Sequence, residues 1–190
     1  MAGDTDNTSV WSEADVYIGS LTATNPTGNA AFTLTDGTVT TTEWDLVGLL
    51  DGSAGFGEQQ SLDSTDHSAW GVGVIATTRR NFKLTRTFTA LEDNETVMGL
   101  IYDASGVTFT DEDYTGTLKV RDSAEKFKIA FELRDGVKVR RMISANYAQI
   151  EEVGEVTESE EGIQSRPVTV GIYPNGDGEL WVTFKGDAAA

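Results

Sequence analysis

The chain has 190 residues, 38% of them hydrophobic, with 20 glycines, three prolines, one histidine, no cysteine and a formal net charge of −17. This length supports one domain with a real core. The absence of cysteine excludes a disulfide framework or a thiolate metal site, and the acidic balance excludes the basic face that a nucleic-acid backbone demands. The charge is uneven: residues 1–78 hold eleven acids and no Lys or Arg, residues 79–141 twelve basic and eleven acidic residues, and residues 142–190 two basic and nine acidic ones. The excess serves solubility in the simplest reading. Its segregation also suggests that the middle segment meets an acidic segment of another copy.

Residues 1–14 are small and polar apart from Trp11. They read as a flexible arm ahead of one β domain over 15–186, with 187–190 as a disordered tail. The start of the chain has acids, no basic n-region and no apolar run. The expectation is therefore synthesis and folding in a cytoplasm, with no signal peptide and no membrane insertion. "DVYIGSL" (15–21) reads as a strand and "TATNPTGN" (22–29) as a loop marked by Asn25-Pro26 and Gly28. Residues 30–50 hold β-rich runs around an Asp36-Gly37 turn. "DGSAGFGEQQSLDSTDHS" (51–68), rich in glycine and small polar residues, reads as a long loop or loose hairpin of the kind a partner orders.

Two strands follow, over 69–80 and 81–92. In the second, Phe82, Leu84, Arg86, Phe88 and Ala90 share one face and Lys83, Thr85, Thr87 and Thr89 the other. Residues 93–105 are the one expected helix: Asp93 or Asn94 can cap it, Glu95 suits the positive end of its dipole, and Val97, Leu100 and Ile101 form its apolar stripe. So short a helix must dock on a sheet. Strands return over 116–122 and 125–145. Residues 166–186 read as a closing hairpin around Asn175-Gly176-Asp177-Gly178.

The stretch "FELRDGVKVRR" (131–141) poses a register problem. A two-residue turn at Asp135-Gly136 would pair Leu133 with Lys138 and put the two apolar sets on opposite faces. A three-residue loop, Arg134-Asp135-Gly136 with Gly136 at positive φ, instead pairs Leu133 with Val137, Phe131 with Val139 and Glu132 with Lys138. That register predicts a sheet apolar on one face and hydrated on the other, in an antiparallel sandwich or barrel. Lys126, Lys128, Arg134, Lys138 and Arg140 would then decorate the hydrated face and turn.

Catalytic signals are sparse. His67, in "STDHSAW", sits in the glycine-rich segment without a nucleophile-elbow pattern. "NGDGE" (175–179) resembles part of a calcium loop but lacks the closing Glu, and reads as a turn. Gly71 and Gly73 lack the third glycine of a dinucleotide fingerprint. The run 151–161, with six Glu and no basic residue, is either a solvated edge that opposes aggregation or an acidic wall that must not stick to something negative.

The ordered set "DVYIGSL", "NPTG", "WDLVGLLDGS" (44–53), "DHSAWG" (66–71), "TRRNFKLTRTFTALEDNETVMGLIY" (78–102), "FELRDGVKVRRMI" (131–143), "AQIEEVGEV" (148–156) and "GELWVTF" (178–184) resembles the major tail protein, or tail tube protein, of long-tailed bacteriophages, above all those of phages of actinobacteria. The resemblance spans roughly 15–186. It implies a structural virion protein rather than an enzyme, with two packed β-sheets flanked by a short helix. Rings, typically hexameric, would stack into a tube whose acidic lumen passes DNA without specific binding. No cofactor or metal is implied. The implied partners are copies of the same chain and the tape measure, tail terminator and tail tip proteins. Because the chain ends after "WVTFKGDAAA", the resemblance implies no appended immunoglobulin-like domain. Candidate ring-interface residues are Trp11, Phe56, Arg79, Arg80, Arg134 and Lys138; candidate lumen acids are Glu151, Glu152, Glu155 and Glu158; Asp135 and Gly136 form the structural turn. The alternative is a monomeric β-sandwich binding module for carbohydrate or calcium, which would show a flat aromatic platform.

Overall fold

A computed structural model describes residues 10–28, 30–34, 43–110, 113–121, 125–158, 160 and 162–187. The Asp36-Gly37 turn, the first nine residues and the last three lie outside the described residues. The fold is mainly β, with packed antiparallel sheets and one short helix, as the sequence predicts.

In chain order the strands are β1 (Glu13–Gly19), β2 (Trp44–Leu46), β3 (Gly57–Ala69) and β4 (Gly73–Ala90), then helix α1 (Glu95–Ile101) and β5 (Tyr102–Thr110). They continue as β6 (Asp113–Val120), β7 (Lys128–Asp135), β8 (Lys138–Ser144), β9 (Tyr147–Val153), β10 (Arg166–Tyr173) and β11 (Trp181–Asp187). One sheet has the order β11-β8-β7-β1-β2 and the other β3-β4-β10-β9, while β5 and β6 pair as a separate ribbon. Between the two large sheets lies the main core. Val16, Phe127, Ile129 and Phe131 come from the five-stranded side, Leu84, Phe88, Val168, Val170 and Ile172 from the four-stranded side, and Val97 and Leu100 from the helix.

Helix α1 is shorter than its predicted span. Asn94 is the N-cap, its Oδ1 accepting from the Val97 N–H, while its Nδ2 donates to the Val47 carbonyl. One side chain thus both starts the helix and ties it to the chain leaving β2. Asp93, the other candidate cap, instead receives Arg166 of β10.

Several expectations are corrected. The 51–68 segment is not a long loop: from Gly57 it is strand β3, paired with β4, which runs unbroken through the expected boundary at residue 80. Asn81, at φ 56°, and a register shift at Ser61/Asp63 mark that boundary as an irregularity inside one strand. Trp11 to Ala14 are not all arm, because β1 begins at Glu13, opposite Arg134. The 166–186 hairpin does not form: β10 joins the four-stranded sheet and β11 the five-stranded one, so 174–180 crosses between layers. The Asn175 side chain organises that crossing, its Oδ1 accepting from the Asp177 and Glu179 N–H groups.

The β7–β8 register differs from both sequence alternatives. Asp135 pairs with Lys138, Leu133 with Arg140, Glu132 with Arg141 and Phe131 with Met142. Gly136 and Val137 are the two turn residues, with Gly136 at φ 58°, the sign a type II′ turn requires at its first central position. The physical reason is a second core. Tyr17, Ala23, Phe32, Trp44, Ala130 and Ile143 cluster on the outer face of the five-stranded sheet, covered by the chain between β1 and β2. Both faces of β7 are buried from Ile129 to Glu132, so no one-sided apolar pattern governs its register.

Candidate functional site

The basic residues of the 126–141 stretch mostly tie the fold together. Arg141 is buried, donates from Nε to Glu132 at 2.6 Å, and donates from Nη1 to the carbonyls of Gly28 and Ala30. Its guanidinium also lies 4.6 Å from the Phe32 ring centroid, so it fastens the chain that covers the second core. Lys128 donates to the Ala23 carbonyl and Asn25 Oδ1, and burial pulls its pKa down. Lys126 sits over the Tyr147 ring. Arg134, a candidate interface residue, faces Asp15, Glu13 and Glu132 within its own chain. Lys138 stands exposed beside the turn.

Two features remain unabsorbed by such ties. The first is the far end of the β3–β4 hairpin. Only Leu84–Ala90 of β4 pairs with β10, so from Ser61 and Lys83 outward the hairpin continues as two strands alone, for about 27 Å. Nearly every residue there is exposed, including Arg79 and Arg80. Cross-strand side chains hold it: Thr77 Oγ1 donates to Asp66 at 2.7 Å, His67 Nε2 meets Thr78 Oγ1 at 2.9 Å, and Asn81 Nδ2 donates to Asp63. Asp66 and His67, adjacent on one strand, point to opposite faces, so the Ser-His-Asp geometry does not form there. The tip is Trp70-Gly71-Val72, with Trp70 fully exposed and Val72, Val74 and Ile75 exposed behind it.

The second is a cleft of about 470 Å³ between the sheets, where the start of β1, the 50–56 chain, Arg86 and Arg140 meet. Trp11 and Phe56, two of the candidate interface residues, come together here; Arg79, Arg80, Arg134 and Lys138 do not line it. Arg86 is 5% exposed, in the core face of β4 that the sequence made apolar. Its guanidinium carbon lies 4.2 Å from the Phe131 ring centroid and 5.5 Å from those of Phe56 and Trp181. Burial lowers its pKa to about 10; Glu58, 3.6 Å away, opposes the drop and Arg140 adds to it. The signal for this site was legible: one Arg between Leu84 and Phe88 on an otherwise apolar face.

The candidate lumen acids do not form one wall. Glu151 and Glu152 lie on β9, where Glu151 accepts from Lys83 Nζ at 2.7 Å and holds the lysine's pKa up. Glu155 and Glu158 follow after the strand has ended. With these geometries in place, no protein-family model matches the chain and no curated protein shows significant similarity to it.

Proposed function

We propose that this chain is a structural subunit that assembles with copies of itself into stacked rings, the tail tube protein of a long-tailed bacteriophage. The observation that carries the reading is the four-stranded sheet. Its outer strands β3 and β9 end it on both sides, β9 being bridged on its outer edge to Phe127 at Ala148, and its β3–β4 ribbon extends past the sandwich with an apolar tip in water. Open edges invite pairing, and a ring of copies joined edge to edge removes them. In a closed ring the five-stranded sheet, packed on one face of this sheet, must lie outside, so the other face lines the channel. That face carries Thr85, Thr87, Thr89 and Thr169, together with the Lys83–Glu151 pair and Glu152. It is a hydroxylated surface with little fixed positive charge, which suits a duplex that must slide without being held. Six copies would give 24 strands; at ~4.8 Å spacing and ~40° tilt the barrel would be about 48 Å across at the backbone, wide enough for duplex DNA. In this reading the tape measure, terminator and tip proteins are further partners, and the assembled chain belongs to the virion.

Negative-stain microscopy of the concentrated protein, with sedimentation velocity across concentration and salt, tests the proposal. Rings or tubes are expected. Single particles of monomer size under every condition would overturn it.

A further inference from the structure

We propose that the cleft at Arg86 is a receptor for a carboxylate side chain of a second copy of this chain, an inference that rests on the self-assembly reading above. Arg86 is a nearly fully buried cation whose neighbours do not neutralise it by hydrogen bonding. Its Nη1 faces the thioether of Met142 at 3.0 Å, and Glu58 forms an ion pair with it at 3.6 Å, longer than a hydrogen bond. Among the described residues its Nε has no hydrogen-bond partner. Arg140, a second cation on the same cleft, donates to the same thioether at 3.5 Å.

The two acids that line the cleft are engaged elsewhere. Asp51 Oδ1 accepts from both the N–H and the hydroxyl of Ser53, and Glu13 faces Arg134 at 3.8 Å. Two guanidiniums therefore share one cleft without a carboxylate hydrogen-bonded between them, in a chain with 31 acidic and 14 basic residues. A planar guanidinium with an unpartnered N–H fits a carboxylate, while Trp11, Leu50, Phe56 and Leu133 offer apolar walls to its stem. Charge complementarity selects the occupant: the surplus acids of another copy meet two guanidiniums in a cleft whose own two lining acids, Glu13 and Asp51, are bonded to other groups. A stabilising anion would also offset the desolvation cost of an arginine buried among aromatic rings.

The test uses phenylacetate as a free carboxylate, phenylacetamide as its neutral match, and the variants Arg86→Met and Arg140→Met. Phenylacetate should raise the Tm of the parent, phenylacetamide should not, and both variants should lose the response. In sedimentation velocity, Arg86→Met should weaken self-association by about tenfold or more, and phenylacetate should compete with association of the parent. Should Arg86→Met fail to fold by circular dichroism, Arg140→Met and the competition assay carry the test. A parent indifferent to phenylacetate overturns the carboxylate site. A parent that responds, with variants that associate as it does, overturns the second copy as source and leaves the tube reading intact. A parent that never associates overturns both; its Tm response then shows whether a site for small carboxylates exists.

Discussion

Strands β7 and β3 make an instructive pair. Both are long members of large antiparallel sheets, yet β7 is buried on both faces from Ile129 to Glu132, whereas β3 is exposed from Gly57 to Ser68. In β7, burial of Ile129, Phe131 and Ala130 against two separate cores supplies the driving force. In β3, nothing comparable is available among the described residues. Its ordering rests on backbone pairing with β4 and on exposed side-chain bonds such as Thr77 to Asp66. A two-stranded ribbon of that kind is marginal alone in water. The difference teaches that one half of this molecule is held by its own cores, while the ribbon draws on little beyond its own strand pairing.

If that contrast is right, the largest losses fall on the buried half. Phe131 meets Phe56, Phe88 and Trp181 edge-on, so Phe131→Ala should cost about 3–5 kcal/mol in denaturant unfolding. Arg141→Met strands Glu132 in the sheet without its buried partner and should cost a similar ~3–5 kcal/mol. Tyr17 sharpens the same point through pH. Burial first, and then the Glu132 charge, raise its pKa to about 12. Because the phenolate is disfavoured in the fold but forms near pH 10 in the unfolded chain, stability should fall as pH rises from about 10 toward 12. A Tyr17→Phe variant should lack that contribution, and tyrosinate absorbance would show Tyr17 among the last to ionise.

Smaller effects probe the turn and the ribbon. A Cβ at Gly136 meets nothing within 4 Å, so Gly136→Ala should lose only the backbone preference, about 1 kcal/mol. Trp70→Ser should leave the melting temperature almost unmoved, with a change within about 0.5 kcal/mol, because Trp70 packs on little in its own chain. Its effect should appear in sedimentation, as weakened assembly. A Trp70→Ser variant that unfolds readily yet assembles normally would break the comparison.

The sequence was readable where a residue's local role matched its pattern. Asn94 as a cap, positive φ at Gly136 and the alternation along 82–90 all follow from such local rules. It misled where two faces were equivalent. Strand β3 hides because both faces are wet, so Gln59, Gln60, Ser61, Asp63 and Ser64 give no period of two. Strand β7 hides its register for the opposite reason, since Ala130 and Ile143 belong to a second core completed by Tyr17, Ala23, Phe32 and Trp44 from the far end of the sequence. The β10–β11 pair looked like a hairpin because turn chemistry at Asn175 is the same whether the chain returns to its own sheet or crosses to the other. The Arg86 cleft was half legible: its place on an apolar face could be read, while its aromatic neighbours Phe131 and Trp181 arrive from distant strands.

Hydrogen exchange followed by mass spectrometry, at dilute and at high protein concentration, tests the claim that the ribbon and open edges are assembly surfaces. In dilute solution the amides of β7 and β8 should be strongly protected and those of residues 62–82 should exchange fast. On concentration, residues 62–82 and the outer edge of β9 should gain protection while β7 and β8 change little. A ribbon that still exchanges fast at concentrations where larger species dominate would contradict the account, and so would one already as protected as β7 in the monomer.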